Sequence, residues 1–168
     1  MNLKHEMLSL RTATPADAKQ LVAWWNDGKV MAHAGFPYGL GTTEEEVIAK
    51  LGEGRLGISE GPRLIGECCY QDHGNHVAEI GIKICESDCQ NRGVGRKVLS
   101  LLIGWLFDSG YTEIILDTNP ANLRAQHVYE SLGFRKVRFN QDSWTDQLGQ
   151  LQSSIDYSLV PQDFHSFL

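Results

Sequence analysis

Gln90-Asn91-Arg92-Gly93-Val94-Gly95-Arg96 is the stretch of this 168-residue chain with the most definite chemical character. Its two glycines let a ligand approach the backbone closely and turn free amides toward it. An alternating apolar segment precedes it and an amphipathic helical pattern follows. The glycines therefore fall at a helix N-terminus, where about half a positive charge accumulates. Arg92, Arg96 and Lys97 add cations nearby. These features describe a phosphate-binding loop on a helix. A bare Gly-x-Gly is more often a tight turn; the strand before, the helix after and the three bases favour the ligand. A dinucleotide-binding loop would need a third glycine where this chain has Val98, and would sit in the first βα unit. A P-loop would need Gly-Lys-Ser/Thr, which is absent.

The elements that must position this loop follow from periodicity and turn chemistry. Leu8 and Leu10 alternate with polar neighbours, as in a first strand. Thr14-Pro15-Ala16-Asp17 is a capped helix start, and Ala18, Leu21, Val22 and Trp25 form the helix's apolar stripe. Lys29 to Thr42 reads as a loop with a helical turn. Thr43-Glu44-Glu45-Glu46 opens a second capped helix. Strands around Leu56–Ile58, Leu64–Tyr70 and Val77–Cys85, joined by short turns, predict an antiparallel meander. Gly93–Asp108 is a helix, Ile114–Asp117 a strand parallel to Val77–Cys85, and Asn122–Leu132 a helix ended by Gly133. Phe134–Phe139 and Ser153–Val160 are the last strands, with Asn140–Gln152 a polar linker. The expectation is one α/β (α+β) domain over 1–168, with a mixed, mostly antiparallel sheet of six to seven strands flanked by about four helices.

Composition narrows the function classes. Apolar residues make up 42% and charged residues 21%, as in ordinary globular proteins. A formal net charge of -6 disfavours nucleic acid and anionic membrane as partners. No apolar run approaches the ~20 residues that span a bilayer, and the first residues lack a signal-peptide core. Cys68, Cys69, Cys85 and Cys89 lack zinc-ribbon spacing, and His33, His73 and His76 have no ligand-spaced partners beyond the His73–His76 pair in a turn, so no metal is expected. Free thiols suit a reducing cytoplasm.

Gln90 to Gly95 also matches the motif Gln/Arg-x-x-Gly-x-Gly/Ala with which the GNAT superfamily of acyl-CoA-dependent N-acyltransferases binds CoA. Asn119-Pro120-Ala121-Asn122, Ala125, Tyr129 and Gly133-Phe134 resemble that family's second signature, N-x-x-A-x-x-x-Y-x-x-x-G-F. The element order agrees from Leu8 to Val160. The resemblance implies transfer of an acetyl group from acetyl-CoA to a primary amine by direct attack in a ternary complex. Amides and side chains of Gln90, Asn91, Arg92, Gly93, Val94, Gly95 and Arg96 would hold the pyrophosphate. The strand end around Ile82 and Ile84 would pair with the pantetheine arm like an added strand. Asn122 would bind that arm from the other side, and Tyr129 would protonate the departing thiolate. Asn122 is equally a plain helix N-cap, and Tyr129 equally a core tyrosine with its hydroxyl at the surface.

The attacking amine must lose a proton, and Glu79, on the strand leading to the loop, is the candidate base. A solvated glutamate paired with Lys83 is the competing reading. For the acceptor, the family's placement under the first inter-helix loop points to Trp24, Asn26, His33, Phe36 and Tyr38, where aromatic rings can clamp an ammonium. The Trp24-Trp25-Asn26-Asp27 and His33–Pro37 segments resemble the branch of ribosomal-protein N-terminal, aminoglycoside and polyamine acetyltransferases. A small-molecule or peptide amine is the expected acceptor. The Trp144–Gln152 segment would finish the acceptor pocket or form the contact of a homodimer. The alternative function is a non-catalytic CoA-binding module on the same fold.

Overall fold

In chain order the elements of the computed structural model, which describes residues 1–168, are strands β1 (Asn2–His5) and β2 (Leu8–Thr12), helices α1 (Ala18–Trp25), α2 (Gly28–Met31) and α3 (Glu44–Lys50), and strands β3 (Arg55–Glu60), β4 (Arg63–Asp72) and β5 (Val77–Ile84). Then come α4 (Val94–Asp108), β6 (Glu113–Thr118), α5 (Leu123–Ser131), β7 (Arg135–Thr145) and β8 (Leu151–Leu159). The eight strands form one sheet in the order β1-β2-β3-β4-β5-β6-β8-β7. All neighbours are antiparallel except β5 and β6, which the α4 crossover makes parallel. The mixed, mostly antiparallel α/β architecture is the one expected.

Two differences from expectation have local causes. The first residues add β1, which pairs with β2 from Asn2↔Arg11 to His5↔Leu8 around Glu6, whose φ of 52° closes the turn. The segment Asn140–Gln152 is not a linker. β7 runs to Thr145 and pairs with β8 through Thr145↔Leu151, with register shifts after Lys136 and after Asn140. Those irregularities disturb the period-2 pattern, and the strand's exposed edge position leaves it polar. Eight strands and five helices result, α2 (Gly28–Met31) and the 3-10 turn Ala32–Ala34 supplying the helical turn expected in the Lys29–Thr42 segment.

Strand alternation splits the core across the sheet. Leu10, Ile58, Cys68, Ile80, Ile114 and Tyr157 meet Val98, Leu102 and Leu106 of α4 on one face. Leu21, Trp25, Met31 and Val47 form a second cluster around α1 and α3. Trp25 donates through Nε1 to Glu67 on β4 at 2.7 Å, which places α1 on the face opposite α4.

The start of α1 is fixed by charge. Arg11 on β2 grips both carboxylate oxygens of buried Asp17 at 2.7 Å, and Asp17 also accepts from Thr14 N–H at 2.8 Å. The Arg11 fork holds the Asp17 carboxyl below the usual aspartate range, against the opposing effect of burial. A depressed acid stabilises the fold above its unfolded pKa, about 3.9, and that contribution is lost as pH falls through the folded value. Asp17→Asn should therefore cost about 2 kcal/mol near pH 7, and denaturant titrations repeated near pH 3 should show the gap to wild type shrinking. A gap of undiminished size in acid would place the cost elsewhere.

Candidate active site

The pairing of β5 with β6 stops after Val77↔Glu113, Ala78↔Ile114 and Glu79↔Ile115. Beyond it β5 stays with β4 through Gly66↔Ile84, and β6 stays with β8 through Thr118↔Ile155. The two halves of the sheet therefore separate, and a cleft of about 1110 Å³ opens between them. Cys85 donates its N–H to Ile65 O at 2.9 Å. Antiparallel alternation from that bond assigns the backbone groups of Lys83 and Gly81 to β4 and turns those of Ile82 and Ile84 toward the cleft. Ile84 O already accepts from the Gln90 amide at 2.8 Å.

The loop Gln90–Gly95 brings the α4 N-terminus to the open end of this cleft. Asn91 has φ 58° and Gly93 φ 76°, so the chain turns sharply into the helix. A Cβ on Gly95 would meet nothing within 4 Å, and one on Gly93 would lie 3.4 Å from the Arg96 guanidinium. Gln90, Asn91, Gly93, Val94, Gly95 and Arg96 all line the cleft. Arg96 stacks over the Phe167 ring at 4.7 Å. Arg124 of α5, which sequence reasoning missed, ties the loop to that helix through Asn91 Oδ1 at 3.0 Å and Gln90 Oε1 at 3.4 Å. Arg92 is a correction: its side chain turns away to Glu60 on β3, at 3.1 and 3.2 Å, because β3 offers a carboxylate on that side.

Asn122 and Tyr129 line the opposite wall. Asn122 is the α5 N-cap, accepting from Ala125 N–H at 3.1 Å, and it faces the cleft as well. Tyr129 is buried, edge-on to Phe134 and Tyr157 with ring centroids 5.9 and 5.8 Å away. Burial, and then the nearby Asp117 charge, push its hydroxyl up to about 12. It is thus a neutral donor at any working pH. Asp117, near the C-terminal end of β6, lines the cleft too. Its carboxyl is raised by desolvation first, then by Glu79 and Asp156. The sequence held a signal for it: ligands gather at the carboxyl ends of parallel strands where a sheet parts.

Glu79 is placed otherwise than expected. It does not line the main cleft. It lines a separate hollow of about 380 Å³ with Glu113, Asp156 and Val137, and its carboxylate lies 2.6 Å from His73 Nε2. Lys83, the partner considered for it, lies instead 3.6 Å from Glu67. Strand alternation put Glu79 on the right face but one residue pair below the point where the sheet opens.

Of the five acceptor-side residues, only His33 lines the cleft. Trp24 is buried and donates to Glu86 at 2.8 Å. Asn26 clamps Thr42 through both its N–H and its carbonyl, at 2.8 and 3.0 Å. Phe36 packs on the α1–α3 cluster, and Tyr38 is exposed. Aromatic content and loop position could not separate rings that pack from rings that face a ligand. On this side the cleft is lined by Lys29, Val30, His33 and Ala34 of the α2 segment, Lys83 of β5 and Trp144 of β7. Trp144 lies against Gly35, where a Cβ would be 2.4 Å from its ring. Gln147, at the β7–β8 turn, bonds Gly35 O, Tyr38 N–H and Gly39 O at 2.8–2.9 Å. The hairpin thus closes this end of the cleft. No group of three His, Cys, Asp or Glu is arranged to hold a metal.

Known proteins share this fold. The chain is 33% identical to human N-acetyltransferase 8 over 52 residues, 31% of this chain and 23% of that protein. It spans less than a quarter of the length of the curated relatives it matches. An acetyltransferase (GNAT family) from Bacillus anthracis superposes with a TM-score of 0.84 at 20% identity, covering 96% of this chain and 99% of that one. Spermidine N-acetyltransferase from Vibrio cholerae, solved with CoA and spermine, gives 0.81 at 20% over 95% and 98%. Ribosomal-protein-alanine N-acetyltransferase from Brucella melitensis gives 0.75 at 18% over 90% and 98%. At these identities the likeness is one of fold. The family model of the acetyltransferase (GNAT) domain matches residues 7–135, from the start of β2 past both signature segments, and the chain belongs to that family.

Proposed function

We propose that this protein, as a single domain, transfers an acetyl group from acetyl-CoA to an amine by direct attack in a ternary complex. The observation that carries the reading is the convergence, on one cleft, of the α4 N-terminus, the unpaired backbone of Ile82 and the buried Tyr129 hydroxyl. The cleft's residues fit the cosubstrate: Gly95 leaves open space above free helix amides, Arg96 and Arg124 supply cations, and the β5 edge can accept an extended arm. Acetyl-CoA bound there supplies an activated acyl thioester.

The chain's own residues then have three tasks. The α4 amides and Arg96 hold the diphosphate. Asp117, the carboxylate that faces the cleft, binds the acceptor ammonium, which gives one proton to solvent to become the attacking amine; Asp117 takes the second proton as the nitrogen bonds the acyl carbon, and its raised pKa makes it a stronger base than an ordinary aspartate. The amine nitrogen bonds the acyl carbon, the carbon–sulfur bond breaks, and the sulfur leaves with the electron pair. Tyr129 donates a hydrogen bond to that sulfur. Full proton transfer from a phenol at about 12 to a thiolate whose thiol titrates near about 8.5 would run uphill. Tyr129 is therefore a stabilising donor, and the thiolate's final proton comes from solvent. The four unpaired cysteines suit a reducing compartment and support a cytoplasmic setting.

Acetyl-CoA at a hundredfold excess over Kd should stabilise the fold by about 2.7 kcal/mol, read as a rise in Tm. Gly95→Asp should remove that rise without unfolding the protein, since the position is open and its φ is not left-handed; an undiminished rise would move the diphosphate elsewhere. Tyr129→Phe keeps the ring packing and should lower kcat by about tenfold, with acetyl-CoA binding intact, for loss of one hydrogen bond of about 1.5 kcal/mol.

Asp117→Asn should lower kcat/KM by about a hundredfold near neutral pH. Because the Asp117 pKa is raised, the wild-type acid limb should fall at a pH above the ordinary aspartate range and vanish in the variant. A pH–rate profile identical in the two proteins would assign deprotonation to another group.

A further inference from the structure

The acceptor half of the cleft carries charge of both signs, at a fixed spacing. Asp117 supplies the negative pole. Its neighbours are engaged elsewhere: Glu79 with His73 at 2.6 Å, and Asp156 with Arg138 at 3.2 Å. Asp117 itself forms none of the protein's ion pairs, which leaves its carboxylate for a ligand cation.

The positive pole is Lys83 with Lys29. Continuing the register Glu79↔Ile115 places Asp117 level with Gly81 and Lys83 two residues further on. That is roughly 7 Å along the strand direction. Lys83 lies on the α1 face of the sheet, because it reaches Glu67, which Trp25 of α1 also touches. The cations assigned to the diphosphate, Arg96 and Arg124, belong to α4 and α5, and α4 packs on the opposite face. Glu67 does not neutralise Lys83 fully. That carboxylate is 2% exposed and already takes Trp25 Nε1 at 2.7 Å and Arg55 at 2.9 Å, with Lys83 at 3.6 Å. Lys29 has no ion-pair partner; its backbone N–H, not its ammonium, meets Asp27. Two ammonium groups on this wall would repel the second charge of a diamine or polyamine, and would attract an anion.

We propose that the acceptor is an amino-carboxylate, of the size of a dipeptide, whose ammonium docks on Asp117 while Lys83 and Lys29 hold its carboxylate. The proposal rests on the acyl-transfer reading above. The offset of about 7 Å along the strand, to which the separation of β5 from β6 adds, needs at least two residues of extended chain. It departs from a spermidine-like acceptor, which would present cations at both ends.

The test compares acetylation of glycylglycine, glycylglycinamide and spermidine by the full-length protein, with acetyl-CoA stabilisation measured on the same samples. Glycylglycine should be preferred over its neutral amide by about 10- to 100-fold in kcat/KM, the range of a charge-assisted contact, and over spermidine by at least as much. Lys83→Met and Lys29→Met should each reduce the acid-to-amide ratio, mainly through KM for the acid. In the unmodified protein, raising salt from about 0.05 M to about 0.5 M should shrink the same ratio by screening, a measurement independent of whether either variant folds. Equal rates for acid and amide, a preference for spermidine, or a ratio indifferent to salt would overturn this inference while leaving acyl transfer standing. Bound acetyl-CoA with no turnover of any amine would overturn the acyl-transfer reading, and this one with it.

Discussion

The site exists because two strands stop pairing. β5 and β6 share three residue pairs and then follow different partners. Each half of the sheet is held by its own ladder, β5 by seven pairs to β4 and β6 by five to β8. Backbone groups left open at the divergence must find water or a ligand, since an unpaired buried amide costs about 1–3 kcal/mol. The cleft satisfies that demand, and it also makes the β5 edge a template for an extended arm. The α4 crossover, required by the parallel pairing, brings a helix N-terminus to the same opening. One topological fact thus yields both a strand edge and an anion-binding helix end.

Charge is sorted by sheet face. On the α4 side, helix amides, Arg96 and Arg124 gather around the loop. On the α1 side, Asp117 and the lysines face the acceptor region, and the buried Glu67 anchors the wall. Glu67 is held there by an indole and a guanidinium, so its burial is compensated by direct hydrogen bonds. Arg55 also stacks on the Trp25 ring at 5.3 Å. This Trp25–Glu67–Arg55 group joins α1 to β3 and β4 and fixes the height of the helix above the cleft. Trp24, buried in the same apolar cluster as Trp25, bonds Glu86 instead.

The sequence made the elements legible wherever local rules act alone. Capping boxes at Thr14–Asp17 and Thr43–Glu46 opened helices, and the alternation of Ala78, Ile80, Ile82 and Ile84 marked the central strand. The loop and the positions of Asn122 and Tyr129 were legible because a motif fixes them by spacing. Residues brought in by long-range pairing were not. Arg92 has the right charge and the right neighbours, yet Glu60, 32 residues earlier, captures it. Glu79 and Asp117 are both strand acids; which one faces the cleft depends on where β5 leaves β6, and no period in the sequence encodes that point. The far half of the β7–β8 hairpin reads as a linker because its edge strand is polar and twice irregular in register.

That hairpin also holds the loop that roofs the cleft. The α2 segment is rich in glycine and has only one helical turn of its own, so little intrinsic structure holds it over the sheet. Gln147 contributes three hydrogen bonds to it, from a position more than a hundred residues later in the chain. Gly35 must lack a side chain there, because the Trp144 ring occupies the space a Cβ would take. The indole therefore serves as both a wall of the pocket and a spacer that sets how far the α2 segment stands from the open strand edge. A pocket whose floor is a sheet and whose roof is a loop held by a distant hairpin can change its acceptor through the roof alone. The diphosphate loop and Tyr129 lie on α4 and α5 and need not move. Under the proposed reading, donor binding would rest on regular elements and acceptor selection on a loop, so that the two could vary separately within one fold.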